Sequence, residues 1–147
     1  MPENIVNFFT EKEKKQIVNA IKAAELNTSG EIRFHIENKL KGDLMDRAAF
    51  IFDKLEMQKT AERNGVLFYL AVKSHKFAIL GDLGINKVVP DDFWDEIKDK
   101  MQVHFKNKEF AQGIVEGIKM AGEKLKEFFP YQSDDINELP DDISYGN

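Results

Sequence analysis

The chain has 147 residues, 42% hydrophobic and 32% charged, the balance of one ordinary globular domain. It contains no cysteine, which excludes disulfides, zinc fingers, iron–sulfur clusters and every cysteine nucleophile together. No apolar run approaches the roughly 18 residues of a membrane helix. Met1-Pro2-Glu3-Asn4 also lacks the cationic start and apolar stretch of a secretory signal, so a cytoplasmic location is expected. The net charge of −5 sits at one end: Asp134, Asp135, Glu138, Asp141 and Asp142 leave 21 acidic against 21 basic residues in the rest. A neutral body without a basic block is a poor binder of phosphate backbones, and no nucleic-acid partner is expected. Residues 1–130 read as a single domain and 131–147 as an acidic, weakly structured tail, either solvated or available for docking a protein partner.

Thr10-Glu11-Lys12-Glu13 reads as a capping box ahead of a helix over about residues 11–26, with Ile17, Ala20, Ile21 and Ala24 on one face. Ile32, Phe34 and Ile36 alternate with Arg33, His35 and Glu37, the period of a strand with one solvated face. His35 and Glu37 fit a surface pair on that face. Asp43 can cap a second helix on Leu44, Ala48, Ile51, Phe52 and Leu55. The apolar run 66–72 fits a strand covered on both faces. Phe77-Ala78-Ile79-Leu80 completes a hairpin across Lys73-Ser74-His75-Lys76. Pro90 and Asp91 are expected to open a third helix with Trp94, Ile97 and Met101 inward, and a fourth runs over about 109–128 before Pro130. The order is α-β-α-β-β-α-α: an α/β fold, a three-layer α/β/α sandwich around a small mixed sheet.

This topology brings three polar loops to one sheet edge: Thr28-Ser29-Gly30-Glu31 before the first strand, Thr60 to Asn64 before the second, and Gly81-Asp82-Leu83-Gly84 after the third. Glu31, Asn64 and Asp82 supply hard oxygen ligands there, and Thr28, Ser29, Thr60 and the carbonyls around Gly81 and Gly84 supply neutral ones. Oxygens of this mixture are how Ca²⁺ or Mg²⁺ is held, and one such site is expected. Glu25, in the last turn of the first helix where a carboxylate opposes the helix dipole, is a further ligand candidate. The same residues also fit plain structural roles: a tight turn at Gly81 and Gly84, an amide cap at Asp82, and Arg63 neutralising Glu31 or Asp82.

The strings Glu25 to Ile32 (ELNTSGEI), Asn64 to Leu67 (NGVL) and Gly81 to Ile85 (GDLGI) resemble the TPM domain family in order and spacing, as do Phe105 to Phe110 and Gly113-Ile114 with Gly117-Ile118. The resemblance covers about residues 5–130. It implies an α/β/α sandwich, divalent-cation binding at the loop edge, and an acid-phosphatase activity ascribed to plant members. Carried over by position, the implied site is Asn64 and the Gly81–Gly84 loop with Asp82, with Glu31 nearby. Many members have an acid where this chain has Arg63, so a cation ligand is replaced by a positive charge that suits an anion such as phosphate. Many members are also exported or tethered to membranes, features this chain does not show.

Composition narrows the phosphatase reading. There is no Cys nucleophile and no Asp-x-Asp-x-Thr motif, and none of His35, His75 or His104 stands in an Arg-His-Gly context. The route left is metal-assisted attack by water, with Asp82 and Arg63 as catalytic candidates. Three readings therefore stand side by side: a divalent-cation-binding module, a weak metal-dependent phosphatase on the same residues, and a protein-interaction domain working through the tail.

Overall fold

A computed structural model describes residues 4–131 and 138–146 of the chain. Helix α1 (Glu11–Ala24) opens with the expected capping box. The Thr10 hydroxyl accepts from the Glu13 amide (3.1 Å), and the Glu13 carboxylate accepts from the Thr10 amide (2.9 Å). Asp43 caps α2 (Leu44–Lys54) by accepting from the Asp46 amide at 3.0 Å. Strands β1 (Glu31–Glu37) and β2 (Gly65–Ala71) are parallel, with Glu31 opposite Gly65. Strand β3 (Lys76–Gly81) runs antiparallel to β2, with Gly81 opposite Val66. The starts of β1 and β2 and the end of β3 therefore share one edge.

Beyond β3 the chain winds α3 (Leu83–Asn86), α4 (Asp95–Lys106) and α5 (Phe110–Leu125). Helix α4 begins later than Pro90–Asp91 suggests. The Phe93 amide reaches back only to the Pro90 carbonyl (3.0 Å), a turn rather than a helical repeat, and regular winding starts at Asp95. Strand alternation sends Ile32, Phe34 and Ile36 to one face of the sheet, where they pack with Ile17 and Ile21 of α1, Ile97 and Met101 of α4, and Ile114 and Ile118 of α5. Leu67, Tyr69 and Ala71 point to the opposite face, against Ala48, Ile51 and Phe52 of α2. These are the three layers of an α/β/α sandwich.

The larger departure from expectation lies on β1. A fourth strand, β4 (Ser144–Tyr145), pairs parallel with its outer side, giving the sheet order β3-β2-β1-β4. Leu139 inserts under the sheet beside Tyr69 and Ala71 in the α2-side core. Arg33 donates to the Asp142 carbonyl (3.1 Å), and the Gly146 amide donates to the Ile36 carbonyl (2.8 Å). A Cβ on Gly146 would lie 2.5 Å from Glu37 Oε1 and 2.9 Å from His35 Nε2, so a glycine lets the backbone pass this close. Glu31, Arg33, His35 and Glu37 are consequently all buried, and the His35–Glu37 pair expected at the surface lies inside. Over 138–146 a docked segment thus stands where a weakly structured tail was expected; Asp134 and Asp135 fall outside the described residues. Among the described residues no helix is long and apolar enough to cross a membrane.

Candidate functional site

The three loops knit together through backbone contacts. The Thr60 hydroxyl accepts from the Asn64 amide (3.1 Å), and the Asn64 carbonyl accepts from the Glu31 amide (3.2 Å). The Asn64 side chain donates to the Ser29 carbonyl at 3.1 Å, tying the second loop to the first. The Gly84 amide donates to the Arg63 carbonyl (2.9 Å), tying the third loop to the second. A Cβ on Gly84 would stand 2.1 Å from the Glu62 carbonyl oxygen, so this approach requires glycine. The Gly81 carbonyl accepts from the Asn86 side chain (3.1 Å). Both glycines thus serve the packing of the loops.

Asp82 is buried at this edge, and its carboxylate is fully engaged. Oδ1 accepts from the Leu83 amide (2.7 Å) and from Arg63 NH2 (2.9 Å), while Oδ2 accepts from Arg63 Nε (2.8 Å). This is a bidentate guanidinium–carboxylate fork, and it raises the Arg63 pKa above its already high ordinary value. The cap and the neutralising arginine, two of the structural roles open to these residues, are both present. Arg63 occupies the place at Asp82 that an external cation would take. Its Nε and NH2 edge faces that carboxylate, while the side chain as a whole stays 43% exposed.

Glu31 is built differently. It is only 4% exposed, and no ion pair among the described residues involves it. Its carboxylate accepts from the Leu139 amide (2.6 Å) of the docked segment. Burial pushes its pKa up to about 7, backbone amides of 138 and 139 counter this in part, and the Glu138 carboxylate beside it pushes further upward. Glu138 itself lies across the Ala61 amide, with oxygens at 3.2 and 3.3 Å, next to Thr60. Glu25 follows the same logic one layer away. It accepts from the Ile32 amide (3.2 Å), and burial followed by a hydrogen bond with Asp141 raises it to about 9. Two carboxylates of the body thus meet two from the C-terminal segment: Glu25 with Asp141, and Glu31 with Glu138. Of the expected ligands, Glu31, Thr60 and Asn64 come to this junction, Glu25 stands beside it with Asp141, and Asp82 is held by Arg63.

At the other end of β1 lies a network that sequence reasoning missed. Glu37, fully buried, accepts from Arg47 Nε and NH2 (2.9 Å each), from the Tyr69 hydroxyl and from His35 Nε2 (3.1 Å). His35 Nδ1 meets the Ser144 hydroxyl at 2.8 Å. Burial opposes ionisation of Glu37, but the hydrogen bonds from His35, Arg47 and Tyr69 outweigh it and hold the carboxyl at about 2. Burial and the same hydrogen bond push the Tyr69 phenol up. Between the two ends, burial lowers the Arg33 pKa, and its Nε has no hydrogen-bond partner among the described residues.

The profile of the TPM domain family matches residues 5–124. The chain belongs to that family. Among solved structures it is similar to the BA42 protein of the psychrophilic bacterium Bizionia argentinensis, at 50% identity and a TM-score of 0.92, covering 97% of this chain and 99% of that one. The N-terminal domain of a protein from P. gingivalis is 17% identical with a TM-score of 0.69, covering 84% of this chain and 80% of that one. The N-terminal domain of the cg2496 protein of Corynebacterium glutamicum is 12% identical with a TM-score of 0.61, covering 92% and 80%. These last two share the fold. A comparison with curated proteins finds no match.

In this TPM domain the donors at the Glu31 junction are carboxylate, amide, hydroxyl and main-chain oxygens. That set fits a hard cation and offers nothing to a soft one. Among the described residues no three His, Asp or Glu side chains converge as a metal centre built from side chains alone would require. A cation here would need the neutral oxygens as well. Glu138 and Asp141, absent from the sequence-based ligand set, carried one legible signal: Leu139, Ile143 and Tyr145 are interleaved with the acids around them.

Proposed function

We propose that this TPM domain is a divalent-cation-binding module whose single Ca²⁺ or Mg²⁺ site lies at the Glu31–Glu138 junction of the loop edge. Glu31 and Glu138 would supply the charge, and Thr60, Asn64 and nearby carbonyls the neutral oxygens, with the hydrogen-bonded Glu25–Asp141 pair adjoining. The observation that carries this reading is a buried carboxylate, Glu31, packed against a second one with no basic side chain to answer it among the described residues. Such a pair costs free energy unless a proton or a cation sits with it. A bound cation would supply positive charge shared between the sheet and the C-terminal segment. Asp82 is left out of the ligand set because Arg63 already satisfies it.

Isothermal titration of metal-free protein with Ca²⁺, and separately Mg²⁺, tests this. Saturable binding that is lost in Glu31→Gln and weakened in Glu138→Gln, yet changes less than about twofold in Asp82→Asn, is the expected pattern. Binding that survives Glu31→Gln and disappears in Asp82→Asn would move the site to the Arg63 side and overturn the assignment.

A further inference from the structure

We propose a second, independent site: the recess at the far end of the sheet binds a small amphiphilic carboxylate, an aromatic ring or short acyl chain bearing one negative charge. The recess has a volume of about 200 Å³ and opens where the β2–β3 hairpin meets the junction of α4 and α5. This is the end of the sheet opposite the three loops. Its apolar lining is Leu70, Val72, Phe77, Phe105 and Phe110. Phe77 and Phe105 meet edge to face with ring centroids 4.9 Å apart, and Phe105 stacks on Phe110 at 5.8 Å. The three rings are only partly buried, so aromatic surface stays open to a ligand. An apolar cavity of about 150 Å³ takes a benzene ring, so this recess has room for a ring with a short arm.

The charge around the opening is of one sign. Lys76 and Lys106 line it beside the imidazole of His75, and no Asp or Glu does, in a chain whose net charge is −5. None of the ion pairs among the described residues involves Lys76 or Lys106. The first residue of α5, Phe110, is in the wall, and that helix has no side-chain cap because the Glu109 carboxylate turns to His104 (3.1 Å). An uncapped N-terminus adds a positive partial charge beside the lysines. Apolar walls with a few convergent cationic groups are the make-up of a small-molecule site. Here they select a ligand with an apolar body and an anionic head.

The probe is 3-phenylpropanoate, followed on the amide NMR spectrum of the full chain, with 3-phenylpropanamide as its neutral isostere and inorganic phosphate as a headless anion. We expect saturable shifts within residues 70–77 and 102–112, with a dissociation constant on the order of 1 mM for so small a ligand. The amide and phosphate are each expected to bind at least about fivefold more weakly. A Lys76→Glu/Lys106→Glu double variant lies on the surface and leaves the aromatic wall in place. It should keep the wild-type spectrum elsewhere and bind the carboxylate at least about tenfold more weakly. Absence of shifts up to about 10 mM, equal binding of the amide, or equal binding of phosphate would each overturn the proposal. Shifts confined to the loop edge would do the same while leaving the cation site untouched.

Discussion

Glu31 and Glu37 stand at opposite ends of β1, on the same face of the sheet, both sealed beneath the C-terminal segment or α2. Glu37 is met by two nitrogens of Arg47, the Tyr69 hydroxyl and His35, and its carboxyl is held at about 2. Glu31 is met by the Leu139 amide and by the carboxylate of Glu138, and its carboxyl rises to about 7. The residue type and the burial are the same. The difference is whether the fold supplies positive charge. At Glu37 it does, so that end is a finished structural network. At Glu31 it does not, and that is the end to which the proposed cation is assigned. Asp82 belongs with Glu37 in this respect, because Arg63 satisfies it from within the chain.

Substitutions at the two glutamates should have opposite signs. Glu37→Gln leaves the Arg47 guanidinium facing a neutral amide inside the core, and is expected to cost about 3 kcal/mol in urea unfolding. A loss well under 1 kcal/mol would show that the network is not needed. Glu31→Gln removes an unanswered charge while keeping an oxygen for the Leu139 amide. In chelator at pH 8 it should raise the unfolding free energy, by on the order of 1 kcal/mol, and a loss of stability there would break the contrast.

The pH dependence of stability separates the same two ends. Glu31 and Glu25, at about 7 and about 9 against an ordinary 4.5, hold protons in the native state that the unfolded chain has released. The native state binds more protons over that window, so stability in chelator should fall as pH rises from about 5 toward 9. Excess Ca²⁺ should flatten that fall. Glu37 works the other way: its contribution is complete above 4.5 and is lost as pH drops toward 2. Denaturant midpoints across pH, with and without Ca²⁺, check both limbs, and an alkaline limb unchanged in Glu31→Gln/Glu25→Gln would contradict the assignment. The smallest effect belongs to Asp82→Asn. Arg63 is 43% exposed where Arg47 is 15%, so it can return to water, and asparagine can still accept from the Leu83 amide; only a modest loss of stability and little change in cation affinity are expected.

Much of this was legible in the residues. The Thr10 and Asp43 caps, the parallel pairing of Ile32–Ile36 with the run at 66–72, and the meeting of three loops all follow from local pattern and connection rules. The Arg63–Asp82 pair was one of the arrangements the loop composition allowed. The covered face of β1 was not legible, for a definite reason. Arg33, His35 and Glu37 alternate with apolar residues as they do on a solvated strand. What buries them is Arg47 of α2 together with the C-terminal segment that ends in β4, a strand two residues long set in the most acidic stretch of the chain. A strand that short has no period to read. Its acids looked like solvated charge because their partners, Glu25 and Glu31, lie more than a hundred residues away in sequence.

The most direct measurement is an amide NMR titration of the metal-free full chain with Ca²⁺. Binding at the Glu31 junction should shift residues 31, 60–64, 138 and 139, with the Leu139 amide among the largest because it donates to the Glu31 carboxylate. Shifts centred instead on 81–85, or none up to millimolar Ca²⁺, would contradict the account.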